Sequence, residues 1–297
     1  METCYDCLPC FVRQTLDAVR LVTSDQGIHE SVVRTVLGAL SKIDFRQSPP
    51  VMGRYIHRLI REESGCDDPY KSLKDQYNRY ALRMIPTLRK TIADAVDRME
   101  TAVRLSIAGN IIDFGASLLV DSTVIDRTIA SSLTDRLTGN IHSLYEGISS
   151  ASRILYIGDN TGEIVFDRLL IEQLPLEKIT FAVRGMPILN DATMDDAMQT
   201  GMTDLVRVIH NGADAPGTIL GECSPEFIHE FDQADLVIAK GQGNFETLSE
   251  VDRNIVFLLK AKCPVIAGHI GCRVGDSVVG RMNDFKQLHM ENSHRGD

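Results

Sequence analysis

Residues 153–163 read RILYIGDNTGE, an apolar β-branched run that ends in a polar turn flanked by two glycines. Two further stretches follow the same grammar. Residues 179–183 (ITFAV) lead into Arg184-Gly185 and then Asn190-Asp191-Ala192-Thr193. Residues 236–239 (LVIA) lead into Lys240-Gly241-Gln242-Gly243-Asn244-Phe245-Glu246. Short buried strands separated by helical stretches imply parallel pairing with right-handed crossovers. In an open α/β sheet, ligands bind in the crevice beyond the carboxyl ends of the strands. The three turns therefore bring Asp159, Asn160, Asp191 and Lys240 to one candidate site.

Working outward, five strands are predicted: RILYI, ITFAV, LVRVI (205–209), DLVIA (235–239) and PVIAG (264–268). Helical patterns over 163–174 and 245–259 alternate with them. Upstream of about residue 150 the grammar changes to helix after helix. Leu73, Tyr77, Tyr80, Met84, Leu88, Ile92, Val96, Met99 and Val103 recur at spacings of three and four, the stripe of an amphipathic helix. Pro86 lies inside this stripe and is expected to kink or split it. Val124, Ile125, Ile129, Leu133 and Leu137 form a second stripe, stopped by Gly139. Gly147–Ser152 is the best candidate boundary, so the expected division is a helical domain over 1–148 and an α/β domain over 149–297.

The bulk numbers exclude several classes. A composition of 43% hydrophobic and 24% charged residues is that of a globular protein. A formal net charge of -10 argues against broad binding to nucleic acid, which needs clustered Lys and Arg. No apolar run approaches the ~20 residues needed to cross a bilayer, and residues 1–10 lack the basic start of a signal peptide. Seven cysteines, an odd number over a long chain, are those of reduced intracellular thiols. The expectation is a cytoplasmic protein with no membrane or nucleic-acid partner; oligomeric state is not encoded in any motif.

The turns suggest particular chemistry. Asp159 and Asn160 offer a carboxylate beside an amide carbonyl, which suits Mg²⁺, Mn²⁺ or a similar hard cation, and Asp191 can supply a third oxygen. The alternative is that Asp159 and Thr161 cap the helix that follows. Glu163 and Asp167 are four apart, on one helix face. Gly241 and Gly243 would let backbone N–H groups approach a phosphate, with Lys240 adding a point charge; the alternative is a tight turn with a solvated lysine. Arg184 and Asn244, in the same turns, are further candidates for substrate contact. Asn110 and Asp113 are three apart and would share a helix face.

Cys4, Cys7 and Cys10 form C-x-x-C-x-x-C, a possible second metal site whose fourth ligand would have to come from afar, since position 14 is Gln14. Thiols packed at the start of a helix fit the same pattern. The eight histidines show no H-E-x-x-H pattern, and no G-x-S-x-G elbow is present.

At these residues a resemblance is evident. GDNTGEIVFDRLLIE, RGMPILNDAT, HNGADAPGT and ADLVIAKGQGNFETL are similar to the signature blocks of the damage-control phosphatase family, metal-dependent phosphatases that include a protein once assigned as an acidic-residue methyltransferase. The cysteine cluster and AGNIIDFG resemble its prokaryotic-type branch. The resemblance spans nearly the whole chain. It implies an α/β fold, a Rossmann-like, mainly parallel sheet flanked by helices, behind an N-terminal all-helical domain. It implies one divalent cation (Mn, Mg, Co or Ni) held by Asp159, Asn160 and Asp191. Lys240 would contact the substrate phosphate, with Glu163, Asn110 and Asp113 near the pocket. The implied activity is hydrolysis of small phosphorylated metabolites, sugar phosphates or damaged cofactors. The nucleophile is water or the Asp159 carboxylate, water being favoured because Asp159-Asn160-Thr161 lacks the second acid of a D-x-D motif. A non-catalytic metabolite-binding protein and an S-adenosylmethionine-dependent methyltransferase are the competing expectations.

Overall fold

The computed structural model describes residues 1–110, 127 and 129–293. Asp113 and most of the AGNIIDFG segment lie outside the described residues.

Five helices open the chain: α1 (Cys7–Val22), α2 (Gln26–Leu40), α3 (Pro49–Ser64), α4 (Lys71–Asp94) and α5 (Arg98–Gly109). The long helix runs through Pro86 rather than splitting there. It ends at Asp94, and Asp97 restarts the chain by accepting the Glu100 N–H at 2.8 Å, as an N-cap does. Val96 falls in that break and is exposed instead of completing the stripe.

The remaining elements build one seven-stranded sheet. In chain order they are β1 (Leu137–Gly139), α6 (Ile141–Ser150), β2 (Ile154–Ile157), α7 (Glu163–Ile171), β3 (Ile179–Val183), α8 (Met194–Gln199), β4 (Arg207–His210), α9 (Pro225–Gln233), β5 (Leu236–Lys240), α10 (Gly241–Leu248), β6 (Ile255–Lys260), α11 (Pro264–Ile270), β7 (Ser277–Gly280) and α12 (Met282–Ser293). The sheet order is β1-β7-β6-β5-β2-β3-β4, parallel throughout except for the antiparallel β6–β7 pair. The α/β class stands, with corrections to its parts. Residues 255–259 (IVFLL), read as the end of a helix, belong to strand β6, and residues 264–268 (PVIAG), read as a strand, open helix α11. A continuous apolar run has no period with which to tell strand from helix. Pro264 sits at the first helical position, where its missing N–H costs nothing. Leu137 continues no helix; it begins β1, which pairs with β7.

The chain moves outward from β2 to β3 and β4, then crosses to β5 and β6 on the other side. The β2–β5 junction is thus the topological switch point, where the crevice for a ligand opens. The central strands are buried on both faces, as parallel strands covered by helices are. Tyr77, Ile85 and Leu88 of α4, together with the buried face of α5, join Tyr156, Phe166 and Phe181 in the core on one side of the sheet. Phe227, Phe245, Phe257 and Phe285 anchor the core on the other side. Among the described residues, α1–α3 carry a core of their own, around Phe11, Val19, Val32 and Ile56. No helix among the described residues is long and apolar enough to cross a membrane.

Candidate active site

The loops after β2 and β3 are stitched into one platform. The Ala192 N–H donates to Asp159 O and the Thr161 N–H to Asn190 O, both at 2.8 Å. This bridge sets Asn160 opposite Asp191. Leu189, just before the platform, has φ 48°, an uncommon left-handed conformation for a residue with a side chain.

Asp159, Asn160 and Asp191 form the floor. Asn160 Nδ2 donates to Asp159 Oδ2 at 2.7 Å and to Glu163 Oε2 at 3.0 Å. Asn110 Nδ2, reaching in from the end of α5, donates to the same two oxygens at 3.2 and 2.8 Å. Because both amides spend their N–H groups on carboxylates, their carbonyl oxygens are left as acceptors. Asn110 Oδ1 is buried and has no hydrogen-bond partner among the described residues.

Arg184 lies buried between the acids. Its Nε donates to Asp191 Oδ2 at 2.6 Å, and its Nη2 lies 3.5 Å from Asp159 Oδ1. Behind it, Asn244 Oδ1 accepts from Thr218 Oγ1 at 2.8 Å and from Arg184 Nη1 at 3.3 Å, while Asn244 Nδ2 donates to Lys240 O at 2.7 Å. Asn244 therefore braces Arg184 from beneath the site. Burial, then the fields of Asp191 and Glu163, push the Asp159 carboxyl well above the usual carboxylate range, against the opposing pull of Arg184 and Lys262.

Lys240 takes a place different from the expected one. Its side chain is fully buried, and Nζ donates to Ser106 O at 2.8 Å, Ser106 Oγ at 2.7 Å and Asp167 Oδ1 at 2.7 Å, with Glu163 Oε1 at 2.9 Å. Burial alone would lower its pKa, but Asp167 and Glu163 outweigh that and raise it, so the ammonium persists. With its donors turned into the layer below, Lys240 fixes Glu163 through Oε1, and Glu163 Oε2 in turn orients the two asparagine amides. The shared face of Glu163 and Asp167 is the one that meets it.

Gly241 likewise serves the floor. Its φ is +78°, and a Cβ there would sit 1.9 Å from Asp159 Oδ2. Neither Asp159 nor Thr161 caps α7: its N-cap is Gly162, with no side-chain cap. The Gly162 N–H instead donates to Asn78 Oδ1 at 2.8 Å.

Sequence reading missed two contributors. Asn78 of α4 also donates Nδ2 to Asp196 Oδ1 at 2.9 Å and to Gln199 Oε1 at 2.7 Å, and Asp196 in turn accepts from Thr193 N and Oγ1. One buried amide therefore ties both floor loops to α4. Lys262 follows β6, and had 255–260 been read as a strand, the strand-end rule would have placed it at the crevice.

A cavity of 720 Å³ opens above the floor, roofed by α1 and α3 and walled by residues 262–265. That is the size of a small-molecule site. Cys7, Cys10 and Cys263 reach its edge. Cys4 Sγ and Cys7 Sγ are 3.7 Å apart, and Cys10 is exposed. Among the described residues, no group of three or more His, Cys, Asp or Glu is gathered as a metal cage, the cysteine run included.

An open α/β sheet with an acidic, amide-braced floor at its switch point defines a class of small-molecule protein built around strand-end loops. The chain belongs to the damage-control phosphatase ARMT1-like family, whose domain it matches over residues 3–278. It is 35% identical over 293 residues to "Damage-control phosphatase PH1575" of Pyrococcus horikoshii, covering 96% of this chain and all of that one. It is 38% identical over 286 residues to "Uncharacterized protein MJ0202" of Methanocaldococcus jannaschii, covering 92% and 93% of the two chains. A damage-control phosphatase of Archaeoglobus fulgidus is 34% identical over 284 residues, covering 92% and 96%. The crystal structure of the Pyrococcus horikoshii DUF89 family protein superposes with a TM-score of 0.85, at 34% identity, over 95% of this chain and 99% of that one.

Proposed function

We propose that this protein is a phosphatase for small phosphate monoesters, sugar phosphates or damaged phospho-metabolites, that works with a divalent cation. The observation that carries this reading is the excess of negative charge in the floor. Asp159, Asp191 and Glu163 converge there, and burial drives Asp159 towards its neutral form. A bound cation relieves that conflict. The residues fit such a cation: two carboxylates, Asp159 and Asp191, and the Asn160 carbonyl form a hard oxygen set, with Asn110 Oδ1, which has no partner among the described residues, beside them. Mg²⁺, Mn²⁺, Co²⁺ and Ni²⁺ are the candidates. When bound, the cation polarises a phosphoryl oxygen and offsets developing charge. The names of the Pyrococcus and Archaeoglobus relatives support the activity.

The chain's own residues do the rest. Arg184 sets the position of Asp191 and brings a fixed positive charge to the floor. Lys262, on the cavity wall and near enough to act on Asp159, offers its ammonium to the phosphate. Helices α7 and α10 both start at the floor, and the positive ends of their dipoles favour an anion. Asp159 Oδ2 already accepts from two amides and abuts Gly241, which disfavours that carboxylate as nucleophile and supports attack by water.

Phosphate release from an aryl phosphate and a sugar-phosphate panel tests this, comparing chelated protein with protein resupplied with each cation. Turnover should return with the cation. Asp191→Asn should lose about 100-fold or more of it while melting as a folded protein. A folded Asp191→Asn with full turnover removes Asp191 from the site, and no turnover with any cation rejects the phosphatase reading.

A further inference from the structure

The cavity holds more than a phosphate needs, and its lining carries two sets of cationic side chains, one on the strand-end loops and one on α1. Asp159 and Asp191 stand at the floor, with Arg184 buried between them and Lys262 on the adjoining wall. On α1, in the roof, stand Arg13 and Arg20, seven residues apart on one helix face, their Cα atoms about 10 Å apart along the axis. Both are exposed, and among the described residues neither guanidinium hydrogen-bonds to the protein or pairs with an acid. Asp17 lies between them on the same helix, yet no ion pair forms. A guanidinium is a planar fork matched to a carboxylate or phosphate. Two of them, unengaged and facing a cavity whose floor is reserved for another anion, make a second anion subsite.

Resting on the phosphatase reading above, we propose that the substrate carries a second anionic group, a carboxylate or a phosphate, remote from the scissile phosphate, and that Arg13 and Arg20 hold it. The two cationic sets then select molecules that carry two anionic groups and reject phosphate esters with a neutral tail.

The test compares glucose phosphate, gluconate phosphate and a hexose bisphosphate, which share a carbon count and differ at the end away from the scissile ester. The full chain should prefer the two doubly anionic esters by about tenfold or more in kcat/KM, chiefly through KM. The preference should shrink as salt is added. In the Arg13→Gln, Arg20→Gln double variant the ratio should fall towards one. Whether the carboxylate or the bisphosphate gains more identifies the distal group. A ratio near one in the unmodified protein, or an unchanged ratio in the variant, overturns the proposal and leaves the arginines as solvated helix residues. Calorimetric binding of the same three compounds gives the ratio without turnover. If nothing is hydrolysed, the phosphatase reading falls, while the binding ratio still decides the second subsite.

Discussion

Gly241 carries more of the site's geometry than its lack of a side chain suggests. Asp159 Oδ2 occupies the space a Cβ would need, and the +78° φ disfavours any substitute. Gly241→Ala should displace the Asp159 carboxylate and lower kcat/KM by about 100-fold, with weaker Mn²⁺ binding in calorimetry. Gly221, around which a Cβ would meet nothing within 4 Å, supplies the control: Gly221→Ala should retain activity. Equal effects of the two changes would detach Gly241 from the site. At this scale the meeting of Asp159, Asn160 and Asp191 at the strand ends was legible, because a polar turn at a strand's carboxyl end announces itself. The place of Lys240 was not. Which way a side chain leaves the end of a strand depends on the register of its neighbours, and here that turns Nζ towards Ser106 and Asp167.

Between elements, the decisive tie is α4 to the two floor loops through Asn78. Three hydrogen bonds from one buried amide are lost in Asn78→Ala, and each partner is left without it. A cost of about 2–3 kcal/mol in urea denaturation follows, together with a lower kcat as the Gly162 and Thr193 turns loosen. A change below about 0.5 kcal/mol, the range of ordinary surface substitutions, would show that the loops hold without α4. The stripe of α4 was readable, but Asn78 looked like any polar residue on a helix. Its partners are 84 to 121 residues away in sequence. The exchange of strand and helix over 255–268 has the same origin: apolar runs signal burial, and only their neighbours decide the backbone they adopt.

Across the whole molecule, α1–α3 form a roof with its own core, docked over the strand ends. Arg58 grips Asp214 through Nε and Nη2 at 2.8 and 2.7 Å, and Arg61 adds a third bond to the same carboxylate. The roof also carries a pH-sensitive group. Burial, then Arg61, lowers the His57 pKa from 6.5 to about 3. The unfolded chain therefore binds the proton first, so stability is full above pH 6.5 and falls as pH drops from 6.5 towards 3. Burial acts oppositely on Glu246, raising it from 4.5 to about 7. The difference between the protein and His57→Phe cancels that contribution. Its urea midpoint, relative to the variant, should decline below about pH 6.5; a flat difference would mean that His57 ionises freely in the fold.

The α/β class and the meeting of Asp159, Asn160 and Asp191 at the strand ends follow from the chain alone, because apolar strand runs and polar glycine-flanked turns are local properties of adjacent residues. The three-residue strand β1, the common core of α4 and α5 with the sheet, the buried place of Lys240 and the arrival of Arg13, Arg20 and Lys262 around one cavity do not. They arise where segments far apart in the chain meet, and burial, register and ion pairing are set by the partner met there rather than by the residues on either side.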